Sequence, residues 1–399
     1  MPNAAVYGTP SVVDGIDALR AREHVALCTG PYQFISLLLA WRAAEVDLGH
    51  ARVLYMNSSD DPSFREDFLR VADRFGVRAD HVDTQRRVGR RAGRDIVYWY
   101  TRAIAVSLPA FTIYRRLSPR RVVQYYDSYH TALGLDLVRR VAPDFTTRPT
   151  RLLRSLKDVL AVRALEPDLF VVPDVDADLW ARCADETQMA RTLLSDDSER
   201  LDLLLQADQR INSADEAPDH AAPGKRTIYL AVGVLAERNP GISVEAEIDC
   251  YVELALRMRG VAPDLAIAIK LHPRASHAKR AYARRCADRL GATLVSTNRF
   301  LEALLPGNEV DGFLVSGPSV ALLNTRRFGL AFPVCLGESF FVGQFGDAYR
   351  VQQRRGKRVA EGHGHFVHRG IAEVDSALDL ERCCEDWLAR RPGRGRPEY

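Results

Sequence analysis

The chain has 399 residues, 47% hydrophobic and 27% charged, which is enough apolar material for a sizeable core in two domains and too much for a disordered chain. A net charge of +3 is too small for a dedicated nucleic-acid binder, and seven cysteines without a C-x-x-C spacing argue against a disulfide framework and for a reduced compartment. The first 22 residues lack a basic segment followed by an apolar core, and the longest apolar stretch, near 35–41, is far shorter than a bilayer span, so a cytoplasmic protein is expected.

Residues 24–28 are a short apolar run that meets Thr29-Gly30-Pro31, and 32–46 is apolar at helical spacing, which predicts strand, tight turn and helix. The pattern repeats with a strand over 51–56, a polar loop from Asn57 to Pro62, and an amphipathic helix over 63–75 that stops at Gly76. Further on, 98–114 is predicted helical, 121–126 a strand, 152–162 a basic helical region and 169–172 a short strand. Residues 212–225 have no apolar periodicity and hold two prolines and a glycine, which marks a linker.

Beyond that linker the alternation restarts, with strands predicted over 227–232, 265–270, 312–315 and 330–334 and helices over 245–259, 278–290 and 320–328. A last helix covers 375–388, and the tail is too polar and too rich in Pro and Gly to pack. Alternating strand and helix implies parallel sheets covered on both faces. The expected fold class is α/β, two doubly wound Rossmann-like domains facing a central cleft, over 1–215 and 225–375, followed by a helix over 376–392 able to cross back and a disordered tail over 393–399.

In open α/β sheets ligands bind beyond the carboxyl ends of the strands, so the residues there are the candidates. One strand ends in Lys270-Leu271-His272-Pro273-Arg274, an imidazole and two cations beside a proline that fixes the turn. His272 can protonate or hydrogen-bond a leaving phosphate there, or can simply satisfy a loop carbonyl. Another strand ends in Ser316-Gly317-Pro318-Ser319 and opens a helix, with Ser316 expected as the N-cap and Pro318 in the first turn. Such a helix start is a ready phosphate site, although a serine cap alone is common. In the first half, Asp127-Ser128-Tyr129-His130 follows a strand, and Asp127 can take a proton from an acceptor hydroxyl or cap the next helix.

At these residues the chain resembles the bacterial sialyltransferases of the polysialyltransferase and lipooligosaccharide-sialyltransferase kind, which have a GT-B fold and use CMP-sialic acid. Thr29-Gly30-Pro31-Tyr32-Gln33-Phe34 looks like their Ser-Pro-Phe-Gln-like turn, and His272-Pro273 matches their His-Pro motif. Ser316-Gly317-Pro318-Ser319 looks like their serine motif with the serines separated. Tyr126-Asp127-Ser128 is the nearest counterpart of their acidic-acidic-Gly motif and keeps one acid.

The resemblance implies an acceptor-side N-terminal domain, a donor-binding C-terminal domain, and direct displacement with inversion. Asp127 would be the base, and His272 with Ser316 or Ser319 would steady the departing CMP phosphate. It also implies donor contacts from Lys270, Pro273, Arg274, Ser316, Gly317 and Ser319, and acceptor or cleft contacts from Thr29, Gly30, Pro31, Gln33 and Asn57. No cofactor and no metal belong to that scheme; the donor is a CMP-sugar and the acceptor a cell-surface glycan or capsule. Two alternatives stay open: the same fold with another nucleotide sugar, CMP-Kdo or UDP- or GDP-linked, and a catalytically silent protein that binds a glycan or a partner.

His363, His365 and His368 are the rival metal cluster, without the Cys or acidic ligands that complete a known pattern. Arginines cluster at Arg86, Arg87, Arg90, Arg91 and Arg94, at Arg115, Arg116, Arg120 and Arg121, and with Lys357 at Arg354, Arg355 and Arg358. They suit either a solvated surface or an anionic partner, whether an acidic or lipid-linked acceptor or the inner face of the cell membrane. No nucleic-acid-binding signature accompanies them.

Overall fold

The structure, a computed structural model, describes residues 19, 23–56, 62–81, 95–101, 113–115, 117–126, 167–184, 186–211, 226–239, 241–295, 298–349, 366–367 and 369–390. The chain divides into two compact units, Met1–Arg210 and Ile211–Tyr399.

The N-terminal unit has a seven-stranded parallel sheet in the order β3-β2-β1-β4-β5-β6-β7. The strands are β1 (Glu23–Cys28), β2 (Ala51–Tyr55), β3 (Arg78–His81), β4 (Ile96–Tyr100), β5 (Arg121–Tyr125), β6 (Leu169–Pro173) and β7 (Thr192–Ser195). Its described helices include α1 (Pro31–Ala43), α2 (Pro62–Arg74), α3 (Ala177–Cys183) and α4 (Arg200–Ile211). Strand β1 is buried from His24 to Cys28, as a central parallel strand covered on both faces must be. Helix α1 is buried on most of its surface, and its Trp41 meets Trp99 of β4 edge to face at 6.3 Å. Trp99 Nε1 donates to His24 Nδ1 at 3.0 Å, which leaves His24 Nε2 to donate to the Leu19 carbonyl.

The expected helix over 98–114 is corrected at its start: Ile-Val-Tyr-Trp-Tyr over Ile96–Tyr100 is the fully buried strand β4. Tyr98 and Tyr100 stack on one face at 6.1 Å while Trp99 occupies the other. An apolar run with large side chains on both faces has no period of two to reveal it, and its aromatic and β-branched content is the better guide. Residues 113–115 are helical, and most of the remainder of that prediction, like the basic helix over 152–162, lies outside the described residues.

The C-terminal unit has a six-stranded parallel sheet in the order β10-β9-β8-β11-β12-β13. In chain order come β8 (Thr227–Val232), α5 (Leu235–Arg238), α6 (Val244–Val261), β9 (Ala266–Leu271), α7 (His277–Leu290) and β10 (Thr293–Val295). Then follow β11 (Gly312–Ser316), α8 (Val320–Phe328), β12 (Phe332–Leu336), α9 (Glu338–Phe345), β13 (Ala372–Val374) and α10 (Ala377–Ala389). The last helix packs on α6 within this unit, and its Trp387 ring lies 5.2 Å from Phe313 of β11. Arg226, just ahead of β8, donates to the carbonyls of Leu388 and Arg390, both at 2.7 Å, and covers the Trp387 ring. Residues 212–225 lie outside the described residues.

The chain therefore adopts the expected two-domain, doubly wound α/β class. In each sheet the strand order reverses beside the first strand, between β1 and β4 and between β8 and β11, and such switch points are where open sheets leave a crevice for a ligand. Among the described residues no helix is long and apolar enough to cross a membrane.

Strand β11 has little room at its first residue, since a Cβ on Gly312 would lie 2.8 Å from both Ala331 Cβ and Pro306 Cγ. Gly312→Ala is expected to lower the unfolding free energy by about 1–3 kcal/mol through overpacking. Gly260→Ala, with nothing within 4 Å of its added Cβ, is expected to be neutral or to add up to about 1 kcal/mol of helix propensity. Urea denaturation of the two variants measures both.

Candidate functional site

Three strand ends surround the crevice of the C-terminal sheet: β9 on one side of β8 and β11 on the other. From β9 to β11 is two strand spacings, roughly 10 Å, a distance that side chains from both can span around a phosphate.

Strand β9 delivers His272 in a closed turn. The His272 N–H donates to the Val232 carbonyl at 3.0 Å, extending the β8–β9 pairing by one residue, and the Ala275 N–H returns to the His272 carbonyl at 2.9 Å. The Arg274 N–H donates to His272 Nδ1 at 3.0 Å, so Nδ1 is an acceptor and Nε2 carries the hydrogen of the neutral ring. The turn ends at Ser276, whose Oγ caps α7 by accepting from the Lys279 N–H. Lys270 is buried within the strand, with its ammonium donating to the Leu271 carbonyl at 2.7 Å, so it is Arg274 that stands exposed.

Strand β11 delivers Ser316 to Ser319. The expected N-cap is corrected here: Ser316 is the last residue of the strand, buried, and its hydroxyl donates to the Ala231 carbonyl of β8 at 3.3 Å. Ser319 is the cap of α8, its Oγ accepting from the Ala321 N–H at 3.2 Å, and Pro318 precedes the helix instead of entering its first turn. Strand pairing to β8 continues through Ser316, which is why the helix starts three residues later than a serine count suggests. Gly317 between them packs so that an added Cβ would meet Phe341 at 3.2 Å. Cys335 is the β12 neighbour of Ser316, and burial pushes its thiol well up, which leaves it inert beside the site.

Beside the His272 turn lies a charge cluster that strand-end reasoning missed. Lys279 and Glu247 have no exposed side-chain surface and pair at 2.7 Å. Glu247 accepts the N–H groups of Leu235 and Ala236, which open α5, at 3.1 and 2.7 Å. The Lys279 ammonium also reaches the Gly233 carbonyl at 2.7 Å and Glu237 at 3.1 Å. Burial pushes the Glu237 carboxyl up, but the Ser276 N–H and Lys279 outweigh it and hold the group below its ordinary value. A signal for both buried charges was present: Glu247 is in phase with the buried Tyr251, Leu254, Ala255 and Met258 of α6, and Lys279 with Ala283, Cys286 and Ala287 of α7. A charge on an apolar stripe needs a buried partner.

In the N-terminal unit, Thr29 follows β1 and donates through both its N–H and its hydroxyl to Gln33 Oε1, at 2.9 and 2.8 Å. Gly30 is the extended N-cap of α1 and Pro31 its first residue; a Cβ on Gly30 would come 3.1 Å from Phe64. These four residues build the turn at the β1 end of that unit's crevice. Arg121 pairs with Asp168 at 3.2 Å. Asn57, Asp127, the histidines at 363, 365 and 368, and most of the arginine clusters lie outside the described residues. Asp174-Val175-Asp176-Ala177-Asp178 has an Asp-x-Asp spacing, but among the described residues no group of three or more His, Cys, Asp or Glu is arranged to hold a metal ion.

No family model matches the chain, and no curated protein matches it by sequence. Solved structures similar to it include the α/β-galactoside α-2,3-sialyltransferase of the luminous marine bacterium Photobacterium phosphoreum, at 10% identity over 90% of this chain and 99% of that one, with a TM-score of 0.46. S. aureus MnaA, solved with UDP, is similar at 10% identity over 93% and 99%, with a TM-score of 0.44. A sialyltransferase from Photobacterium damsela is similar at 9% identity over 88% and 81%, with a TM-score of 0.40.

Two stability outcomes follow from the geometry of the C-terminal unit. Ser319→Ala, which strips α8 of its cap, is expected to cost about 1 kcal/mol. Lys279→Met, which leaves Glu247 buried without its cation, is expected to cost about 3–5 kcal/mol, and Lys279→Met with Glu247→Leu to recover most of that by replacing the pair with apolar packing. Urea unfolding of the three proteins measures each; a double variant no more stable than the single one would contradict the uncompensated-charge account.

Proposed function

We propose that the chain is an inverting glycosyltransferase that moves a sialic acid or related nonulosonic acid from a CMP-sugar to a hydroxyl of a cell-surface glycan or capsule acceptor. The observation that carries this reading is the arrangement at the C-terminal switch point, where His272 ends β9 and Ser316 to Ser319 lead from β11 into the start of α8. An imidazole with its hydrogen on Nε2, and a helix start capped by the Ser319 hydroxyl, suit a departing phosphate better than a neutral leaving group.

In the proposed displacement the acceptor oxygen forms a bond to the anomeric carbon as the bond from that carbon to the phosphate oxygen breaks. The electron pair leaves with CMP, and the acceptor proton passes to Asp127. His272 donates a hydrogen bond or a proton to the phosphate oxygen as charge develops, and Ser316 or Ser319 with the amides that open α8 holds the remaining oxygens. Attack opposite the leaving group inverts the configuration. The scheme routes no step through a metal. The arginine clusters favour an anionic acceptor, either an acidic glycan or one anchored in an anionic leaflet.

The test follows CMP release from CMP-sialic acid by the purified protein in the presence of EDTA. The wild type is expected to release CMP, with His272→Ala slower by about 10²–10⁴-fold and Asp127→Ala by a similar factor. Absence of release together with absence of a thermal shift on adding CMP would remove this donor class.

A further inference from the structure

Lys279 takes no part in the displacement, yet its three ammonium hydrogens have three acceptors, the Gly233 carbonyl, Glu237 and Glu247. Those acceptors belong to the loop after β8 (Gly233), to α5 (Glu237) and to α6 (Glu247), while Lys279 itself sits in the first turn of α7, directly after the His272 turn. Glu247 in turn clamps the first two amides of α5, and Glu237 accepts the N–H of Ser276, the residue that closes the His272 turn. The turn is thus fastened to the β8 loop at both ends, at its start by Val232 and at its end through Glu237.

We propose that Lys279, with Glu237 and Glu247, is a positioning residue for His272: one buried ammonium ties the loops after β8 and β9 together and fixes the place and tautomer of the imidazole. This rests on the reading of the site as one that receives a departing phosphate. A strand-end loop is ordinarily mobile, and the Arg274 N–H can hold His272 Nδ1 only while the turn keeps its shape. Catalytic groups lose rate when displaced by an ångström even if binding survives. A buried ion pair that served stability alone could be exchanged for apolar side chains without loss of function; a pair that positions could not, and that difference separates the two roles.

The experiment compares the wild type with Glu237→Gln and with the double variant Lys279→Met and Glu247→Leu. It measures melting temperature, CMP affinity by calorimetry, turnover of CMP-sialic acid per folded molecule, and the His272 tautomer from ring ¹⁵N shifts. The wild-type ring is expected as the Nε2–H form, and both variants as a mixture of the two tautomers. CMP affinity is expected to stay within about threefold, while turnover falls by about tenfold to a hundredfold. Unchanged turnover and an unchanged tautomer in the variants would overturn the proposal, and should the double variant not fold, Glu237→Gln decides by the same criteria. If the wild type releases no CMP, the transferase reading fails by itself, and the tautomer then decides alone: a mixture in the variants upholds positioning, and an unchanged Nε2–H form rejects it.

Discussion

A parallel strand cannot be followed by a tight hairpin; the chain has to cross back over the face of the sheet before the next strand begins. Every described strand pair in both units obeys that constraint. Its consequence is that all carboxyl ends lie on one edge of each sheet, and the order reversal beside β1 and beside β8 parts the crossovers there. Thr29 and Gly30, His272, and Ser316 to Ser319 are all products of this edge. Within each unit, residues far apart in sequence emerge on the same edge because the topology gives them no other place: Thr29 and Gly30 in the N-terminal unit, His272 and Ser316 to Ser319 in the C-terminal one.

The edge is also where unpaired backbone N–H groups gather, and the molecule answers several of them from within. Glu247 takes two amides after β8, Glu237 takes the one that leads into α7, and Lys279 pairs with both carboxylates. The N-terminal unit uses a related device. Arg200 is buried against Asp197 at 2.7 Å, reaches Ser36 Oγ in α1, and lies over the Tyr32 ring. In each unit a buried cation links elements that begin beyond the carboxyl ends of the strands, Arg200 the starts of α4 and α1 and Lys279 those of α5, α6 and α7. The start of α8 is closed by the Ser319 hydroxyl, which accepts from the Ala321 N–H.

The rhythm of strands and helices was legible wherever a periodic helix followed an apolar run, and β8 and α8 fell where the pattern put them. It failed at β4, where Tyr98, Trp99 and Tyr100 fill both faces and erase the alternation, and at short edge strands such as β3 and β10, which carry only four and three residues. His272 and the serines were legible because they stand at strand ends beside a proline. The assignment of the cap to Ser316 failed because strand pairing, invisible in one sequence, runs on through that residue. Glu247 and Lys279 were legible only as anomalies, two charges in phase with apolar stripes; which partners they meet depends on how α6 and α7 pack, and spacing along the chain does not encode it.

Arg226 stands at the first step into the C-terminal unit and grips the last turn of its final helix through the carbonyls of Leu388 and Arg390. From Arg226 to Arg390, the described part of the unit therefore begins and ends at a single point. Its circuit of strands and helices is a loop with a clasp, and no strand of the sheet depends on where that loop is opened. New chain ends cut into one of its exposed turns, with the present ends joined across the clasp, would leave every strand neighbour unchanged. A tension applied between Arg226 and Arg390 would be shared by the guanidinium, the Trp387 ring beneath it and the β8–β9 pairing, which the Arg226 carbonyl extends by accepting from the Ala266 N–H.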